Sequence, residues 1–139
     1  MKASAIVYDS LMIITFTVLT LVVFNAAPKT AKAVSEILAK TNAQSIATDL
    51  GSLISGIYAA PFNMKTKYCF PTEKHYKVTI HEKEIEVKVE EEDCKSEFCY
   101  GKEDLPIELE SFSFSTSQLS DGCIWVENEN GKIKFEVSS

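Results

Sequence analysis

The chain has 139 residues, 24% of them charged, and a net charge of −6, which leaves room for one compact domain plus one extended element. An acidic balance with no basic stripe argues against nucleic-acid binding, because phosphate neutralisation supplies most of that affinity. The charge is unevenly placed: up to Phe24 only Lys2 and Asp9 carry any, whereas residues 65–110 are dense in Lys and Glu.

Residues 5–24 read AIVYDSLMIITFTVLTLVVF. That is about 20 residues, the length a helix needs to cross the hydrocarbon of a bilayer. A membrane anchor, a secretory signal peptide cut near Ala27 and a buried core helix all compete for this segment. Lys2 and Leu11–Phe24 suit a signal peptide, but Asn25-Ala26-Ala27 is a poor small-residue cleavage site and the helical pattern runs past it. The rest of the protein is too small to surround such a helix, so the anchor fits best. Within it, Asp9 is costly in lipid and calls for a partner or a function. The alternative is a place at headgroup level, where a helix N-terminus favours negative charge.

Lys2-Ala3-Ser4 followed by Ala5-Ile6-Val7-Tyr8-Asp9 resembles the processing region of archaeal type IV pilin-like proteins, of the pilin/archaellin superfamily. The resemblance implies that residues 1–4 are a short leader removed after Ser4, which would make Asp9 the fifth residue of the mature protein. It implies that Asp9 pairs with the free α-amino group of a neighbouring subunit's Ala5 and sets axial register, a plausible use of a sealed ion pair. It also implies a homo-oligomeric helical filament assembled through the N-terminal helix, with the subunit resident in the membrane before assembly. The surface filament would serve adhesion or attachment. On this reading residues 5–60 form a helical spine, its membrane-spanning part 5–27, and residues 61–139 an extracytoplasmic β-rich head. Lys2 set against Lys29, Lys32 and Lys40 points the other way by the positive-inside rule; the cysteines of the head argue for export and carry more weight.

Pro28 precedes a second helical run, from Thr30 to about Ala60. It either ends the first helix or kinks a continuous one, which membrane helices tolerate; the resemblance accommodates both, since pilin-like helices bend or melt near such a proline. Val34, Ile37 and Leu38 share one face, and Ile46, Leu50, Leu53, Ile54 and Ile57 share another, rotated by roughly 140°. Two faces call for partners on two sides, the head along the later half and neighbouring subunits along the earlier, or else for a break near Lys40–Ala43. The many Ala, Ser and Gly residues between permit close helix–helix approach. Pro61 biases Ala60 away from helix and ends the run.

After Pro61 the period becomes two. Tyr76, Val78 and Ile80, then Ile85, Val87 and Val89, alternate with polar residues about a turn at Glu82-Lys83. Ile107 and Leu109 take one parity, Phe112 and Phe114 the other, which predicts a bulge near Glu110–Ser111. Ile124 and Val126 lead through Asn130-Gly131 into Ile133, Phe135 and Val137, a strong hairpin signal. The expectation is one antiparallel sheet of five or six strands with a single apolar face, covered by the helix's second stripe. The fold class is therefore α+β, a long N-terminal hydrophobic helix packed on a small antiparallel head.

Cys69, Cys94, Cys99 and Cys123 are the four cysteines, an even number in a small head, which predicts two disulfides in an oxidising compartment. Of three connectivities, Cys94–Cys99 with Cys69–Cys123 is favoured. The rival is a zinc site drawing on His75 or His81, for which neither cysteine pair has the C-x2-C spacing. No nucleophile elbow, phosphate loop or paired metal-ligand motif is present, so the expectation is a non-enzyme with no cofactor and no metal. His75 and His81 share the polar parity, and residues 90–93 read as a solvated acidic turn without the alternation of a calcium loop. Trp125 lies opposite Ile124 and Val126 and marks either a contact or the sheet's second face. The alternative to a filament subunit is a monomeric single-pass membrane protein whose β domain binds an extracellular partner.

Overall fold

A computed structural model describes residues 2–60, 63–91, 94 and 97–137, with the side chains of residues 2–6 and of Phe98 outside the description. One helix, α1 (Lys2–Ala59), is followed by seven strands: β1 (Lys65–Cys69), β2 (Tyr76–Ile80), β3 (Glu84–Val89), β4 (Tyr100–Asp104), β5 (Phe112–Ser115), β6 (Cys123–Glu129) and β7 (Lys132–Val137). The protein divides into two units, Met1–Ser35 and Glu36–Ser139, so the later part of α1 belongs to the compact unit that holds the sheets.

Pro28 lies inside α1, and the helix also passes through Lys40–Ala43 without the break weighed above. It ends where Ala60 donates its N–H to Ile57 O at 3.2 Å, just before Pro61, whose own placement lies outside the described residues.

The strands form two antiparallel sheets where a single sheet was expected. One has the order β1-β6-β7 and the other β4-β3-β2-β5. The polar strands β1 and β4 were the ones missed. β1 carries Lys65 and Lys67 outward beside a half-buried Thr66 and Tyr68, and β4 contains Gly101, so neither shows a clean apolar alternation. The strand expected at Ile107–Leu109 does not form either. Instead Leu105 and Leu109 donate their N–H groups at 2.7 Å to Lys83 O and Glu82 O, which laces this segment over the β2–β3 turn. That turn is where the alternation put it, with Ile80 opposite Ile85. The β6–β7 hairpin also turns at the expected pair: Glu129 faces Lys132, and Asn130 and Gly131 have φ of 55° and 84°, the left-handed corner that a two-residue hairpin requires.

One apolar core joins the later half of α1 to both sheets. Ile46, Leu50, Ile54 and Ile57 are buried and Leu53 is partly buried, as the second stripe predicts, against Val78, Ile80, Ile85, Val87, Val89, Ile124 and Val126. The two sheets meet through a row of rings: Tyr68–Phe70, Phe70–Phe114, Phe112–Phe114 and a stacked Phe112–Phe135 pair at 5.6 Å. The alanines expected to favour helix–helix contact do something else. Ala39, Ala43 and Ala47 are buried against the head.

The reason is a backbone-to-backbone contact. A Cβ on Gly101 of β4 would overlap the Ala43 carbonyl and the Gln44 amide nitrogen, so only glycine fits there. Beside it the Gln44 side chain behaves as a piece of strand: Nε2 donates to Lys102 O at 2.7 Å and Oε1 accepts from Lys102 N–H at 3.1 Å. At the other end of the stripe Asn128, fully buried, donates through Nδ2 to Ile57 O at 3.0 Å and accepts the Gly131 N–H at 2.9 Å. A buried amide with both ends bonded escapes the desolvation cost of an unpaired one.

Two outcomes follow from this packing. Gly101→Ala should destabilise the head by at least about 2 kcal/mol, because neither backbone can yield to the added methyl; a shift in the urea midpoint at constant slope would register it. A fragment beginning at Lys29 should be a soluble monomer with mixed helix and strand by circular dichroism. One beginning at Asn63 should aggregate, having lost side chains whose burial contributes about 1.5–3 kcal/mol each; a stable monomer from the shorter fragment would refute this account of the core.

Candidate assembly surface

The described part of the first unit is helix, and between Val7 and Phe24 its large apolar side chains are exposed all round. From Val7 to Phe24 the large apolar residues run from 54% exposed at Val18 to 74% at Phe24. A helix that is apolar on every side belongs in lipid or in a bundle with its own kind. Its threonines and Asn25 are bonded to the helix's own carbonyls, which suits both environments. Thr15, Thr17 and Thr20 donate their hydroxyls to Leu11 O, Ile13 O and Phe16 O, and Asn25 donates Nδ2 to Leu21 O, all at 2.7–2.9 Å. Pro28 withholds an N–H from this ladder, and two residues on Thr30 donates Oγ1 to Ala26 O at 3.0 Å. Asp9 is exposed on the helix. Ala5 lies within α1, and its side chain, like the placement of Met1 in the expected leader, is outside the described residues.

In the second unit the strip of helix directly away from the core is apolar or small, with exposed Lys40 and Asp49 at its margins. Ile37 and Leu38 are 59% and 55% exposed, and Thr41, Ser45, Ser52 and Gly56 are exposed at helical spacing behind them. Val34, 50% exposed, belongs to the first unit. Gly56 is informative: a Cβ there would meet nothing within 4 Å. Glycine in a helix costs about 1 kcal/mol relative to alanine, and none of the described residues comes close enough to require it.

The cysteines pair as Cys69–Cys123 and Cys94–Cys99, with no free cysteine. The first bond joins residues directly opposite on β1 and β6 and closes a separation of 54 residues, the second a separation of 5; in the loop-entropy picture these restrain the unfolded state by about 4 and about 2 kcal/mol. With every cysteine oxidised, no thiolate is left for the zinc site considered from sequence. His75 and His81 are exposed, and among the described residues no group of three or more His, Cys, Asp or Glu side chains could hold a metal ion. Glu90 accepts from Ser115 and Glu91 pairs with Lys74 at 2.8 Å, while Glu92 and Asp93 of the acidic turn lie outside the described residues.

The exterior of the three-stranded sheet is a lattice of opposite charges around Trp125. Lys65 bonds Glu136, which holds its ammonium above the usual lysine range, and Lys67 bonds Asp121 at 2.7 Å, which holds that carboxyl below the usual range. The same two ammonium groups lie 5.2 and 5.6 Å from the half-buried indole. On β4, hydrogen bonds from Lys102 to Glu86 and Glu84 likewise raise its pKa. An open groove of about 600 Å³ is lined by Tyr58, Leu109 and Ile133 together with Glu82, Glu108, Lys132 and Lys134. These are exposed ion pairs on a sheet surface, a solvated shell with no convergent catalytic group.

These features define the class. The protein is of the α+β type: one long apolar helix, long and apolar enough to cross a membrane, packs its later half on antiparallel sheets, and its two disulfides point to an oxidising, extracytoplasmic compartment. No protein-family model, no curated protein and no solved structure matches it.

Tyr68 and Tyr76 supply a test of how the helix and sheets pack. Burial, reinforced by Asp49 and Tyr76, pushes the Tyr68 phenol up from 10.0 to about 12, and burial also raises Tyr76. The neutral phenols thus stabilise the fold fully below pH 10, and that contribution drains away as pH climbs toward 12. Urea melts across this window should show falling stability, and Tyr68→Phe should make the fall shallower.

Proposed function

We propose that the protein is the structural subunit of a type IV pilin-like surface filament, assembled through its N-terminal helix and working in adhesion or surface attachment. The observation that carries this reading is that, within the second unit, α1 leaves a strip of apolar and small residues exposed, through Ile37, Leu38 and Thr41 to Gly56. A simple anchor needs apolar surface only as far as the hydrocarbon reaches. A helix clothed on one side by its own head and bare on the other is suited to packing against copies of itself, and small residues let backbones approach.

In this scheme the subunit waits in the membrane with its threonine and asparagine side chains internally bonded, then moves into a helical bundle that replaces lipid with neighbouring α1 helices. Asp9, bonded to the free α-amino group of a neighbour's Ala5 after removal of residues 1–4, fixes the axial step. The β head remains outside the bundle, cross-linked against the extracellular medium. The residues act as positioning and packing groups; no catalysis is involved.

Asp9→Ala should leave head stability unchanged and abolish or badly disorder filaments seen by negative-stain microscopy. Gly56→Ala should stabilise the isolated subunit by up to about 1 kcal/mol, whereas Gly56→Phe should leave it folded and stop assembly. Wild-type filament yield from both Asp9→Ala and Gly56→Phe, or native material that is monomeric in the membrane, would favour the single-pass receptor reading instead.

A further inference from the structure

Asn130-Gly131 is the single Asn-Gly pair in the sequence, and Asn130 is exposed at the tip of the β6–β7 hairpin. Such a pair is chemically labile. The glycine backbone nitrogen attacks Cγ of the asparagine, the new N–Cγ bond forms, the Cγ–Nδ2 bond breaks, and the backbone nitrogen's proton leaves with the amide group as ammonia. Water then opens the succinimide to aspartate or isoaspartate, and no other reactant is needed. Glycine, lacking a Cβ, leaves the attack unhindered. The reaction does require that the Gly131 nitrogen be free to lose its proton and turn toward Asn130 Cγ.

Here that nitrogen is held. Gly131 N–H donates to Asn128 Oδ1 at 2.9 Å. Asn128 is itself 0% exposed and is fixed from the other end by Nδ2 donating to Ile57 O at 3.0 Å, in the last turn of α1. One buried amide therefore bridges the labile turn and the docked helix end.

We propose that Asn130 is a deamidation site guarded by the fold, with Asn128 as the guard: conversion is slow while the end of α1 is docked and rapid once it is released. The product would mark the head. Isoaspartate adds a main-chain atom to a corner built for two residues, and either product sets a new carboxylate beside Glu129, which already pairs with Lys134. The inference concerns the head alone and stands whether or not the protein forms filaments.

The test follows Asn130 by peptide mapping with isoaspartate quantification at mildly alkaline pH, in the full-length protein in detergent and in a synthetic peptide of residues 125–135 as the unfolded reference. Conversion in the protein should be slower than in the peptide by about ten-fold or more, the scale set by a native hydrogen bond. Asn128→Ala should bring the protein's rate close to the peptide's. Asn128→Asp keeps an acceptor for Gly131 but loses the donor to Ile57 O, so it should convert faster than the wild-type protein. Equal rates in wild-type protein and peptide would overturn the proposal, as would slow conversion in folded Asn128→Ala. Should neither variant fold, hydrogen exchange at the Gly131 amide of the wild-type protein decides: slow exchange supports a held nitrogen, and fast exchange overturns the guard.

Discussion

The head is organised by one close approach, backbone against backbone, between Ala43–Gln44 of the helix and Gly101 of β4. Because nothing stands between the two backbones there, the helix lies close to β4, and Leu50 and Ile54 are fully buried in the core that the helix shares with the sheets. Two amides bracket the apolar stripe. Gln44 satisfies the Lys102 backbone of β4, an edge strand that would otherwise offer a template for pairing. Asn128 holds the carbonyl of Ile57 at the far end. The stripe supplies the attraction and the amides supply the register, a division common where a buried polar group has a single satisfiable position.

That arrangement explains why one helix carries two kinds of surface. Between Glu36 and Ala59 it is a core element, with alanines and a glycine where the sheet comes close and large aliphatics where it recedes. From Val7 to Phe24 it has no inside at all. The head does not need the apolar run for its own core, and the threonines and Asn25 of the run bond to their own helix. Disulfides on β1–β6 and beside β4 then restrain a small domain whose sheets, taken separately, each leave an apolar face to be covered.

Much of this was legible from the sequence, and the misses have physical causes. The second stripe of α1, the β2–β3 and β6–β7 hairpins and the apolar span all rest on strong periodicities, and they stand in the structure. β1 and β4 escaped notice because an edge strand with lysines outward and only half-buried residues inward has little alternation to detect. Ile107 and Leu109 misled for the opposite reason, since apolar spacing of two is also what a loop shows when it anchors side chains across a turn. The role of Gly101 could not be read locally, because its partner is 58 residues earlier by the Gln44–Lys102 bond beside it. Asn128 did leave a signal: it occupies the same inward parity as Ile124 and Val126, and an amide at a core position just before a turn needs partners on both sides. The surface chosen for assembly rested on resemblance at Lys2–Asp9 and on the first stripe. The open space around Gly56 adds an observation that no pattern in the sequence supplied.

The setting of Trp125 has a practical corollary. It is the protein's single tryptophan, seated on the central strand of the three-stranded sheet, two residues from Cys123 of the Cys69–Cys123 bridge and beneath two ammonium groups. Indole emission from this protein is therefore a local signal. It reports on β1, β6 and β7 and on the two lysines above them, and it is silent about the apolar run of α1. Fluorescence would thus follow the head alone and far-ultraviolet dichroism the whole backbone, and the difference between the two traces would measure how independently the span and the head come apart.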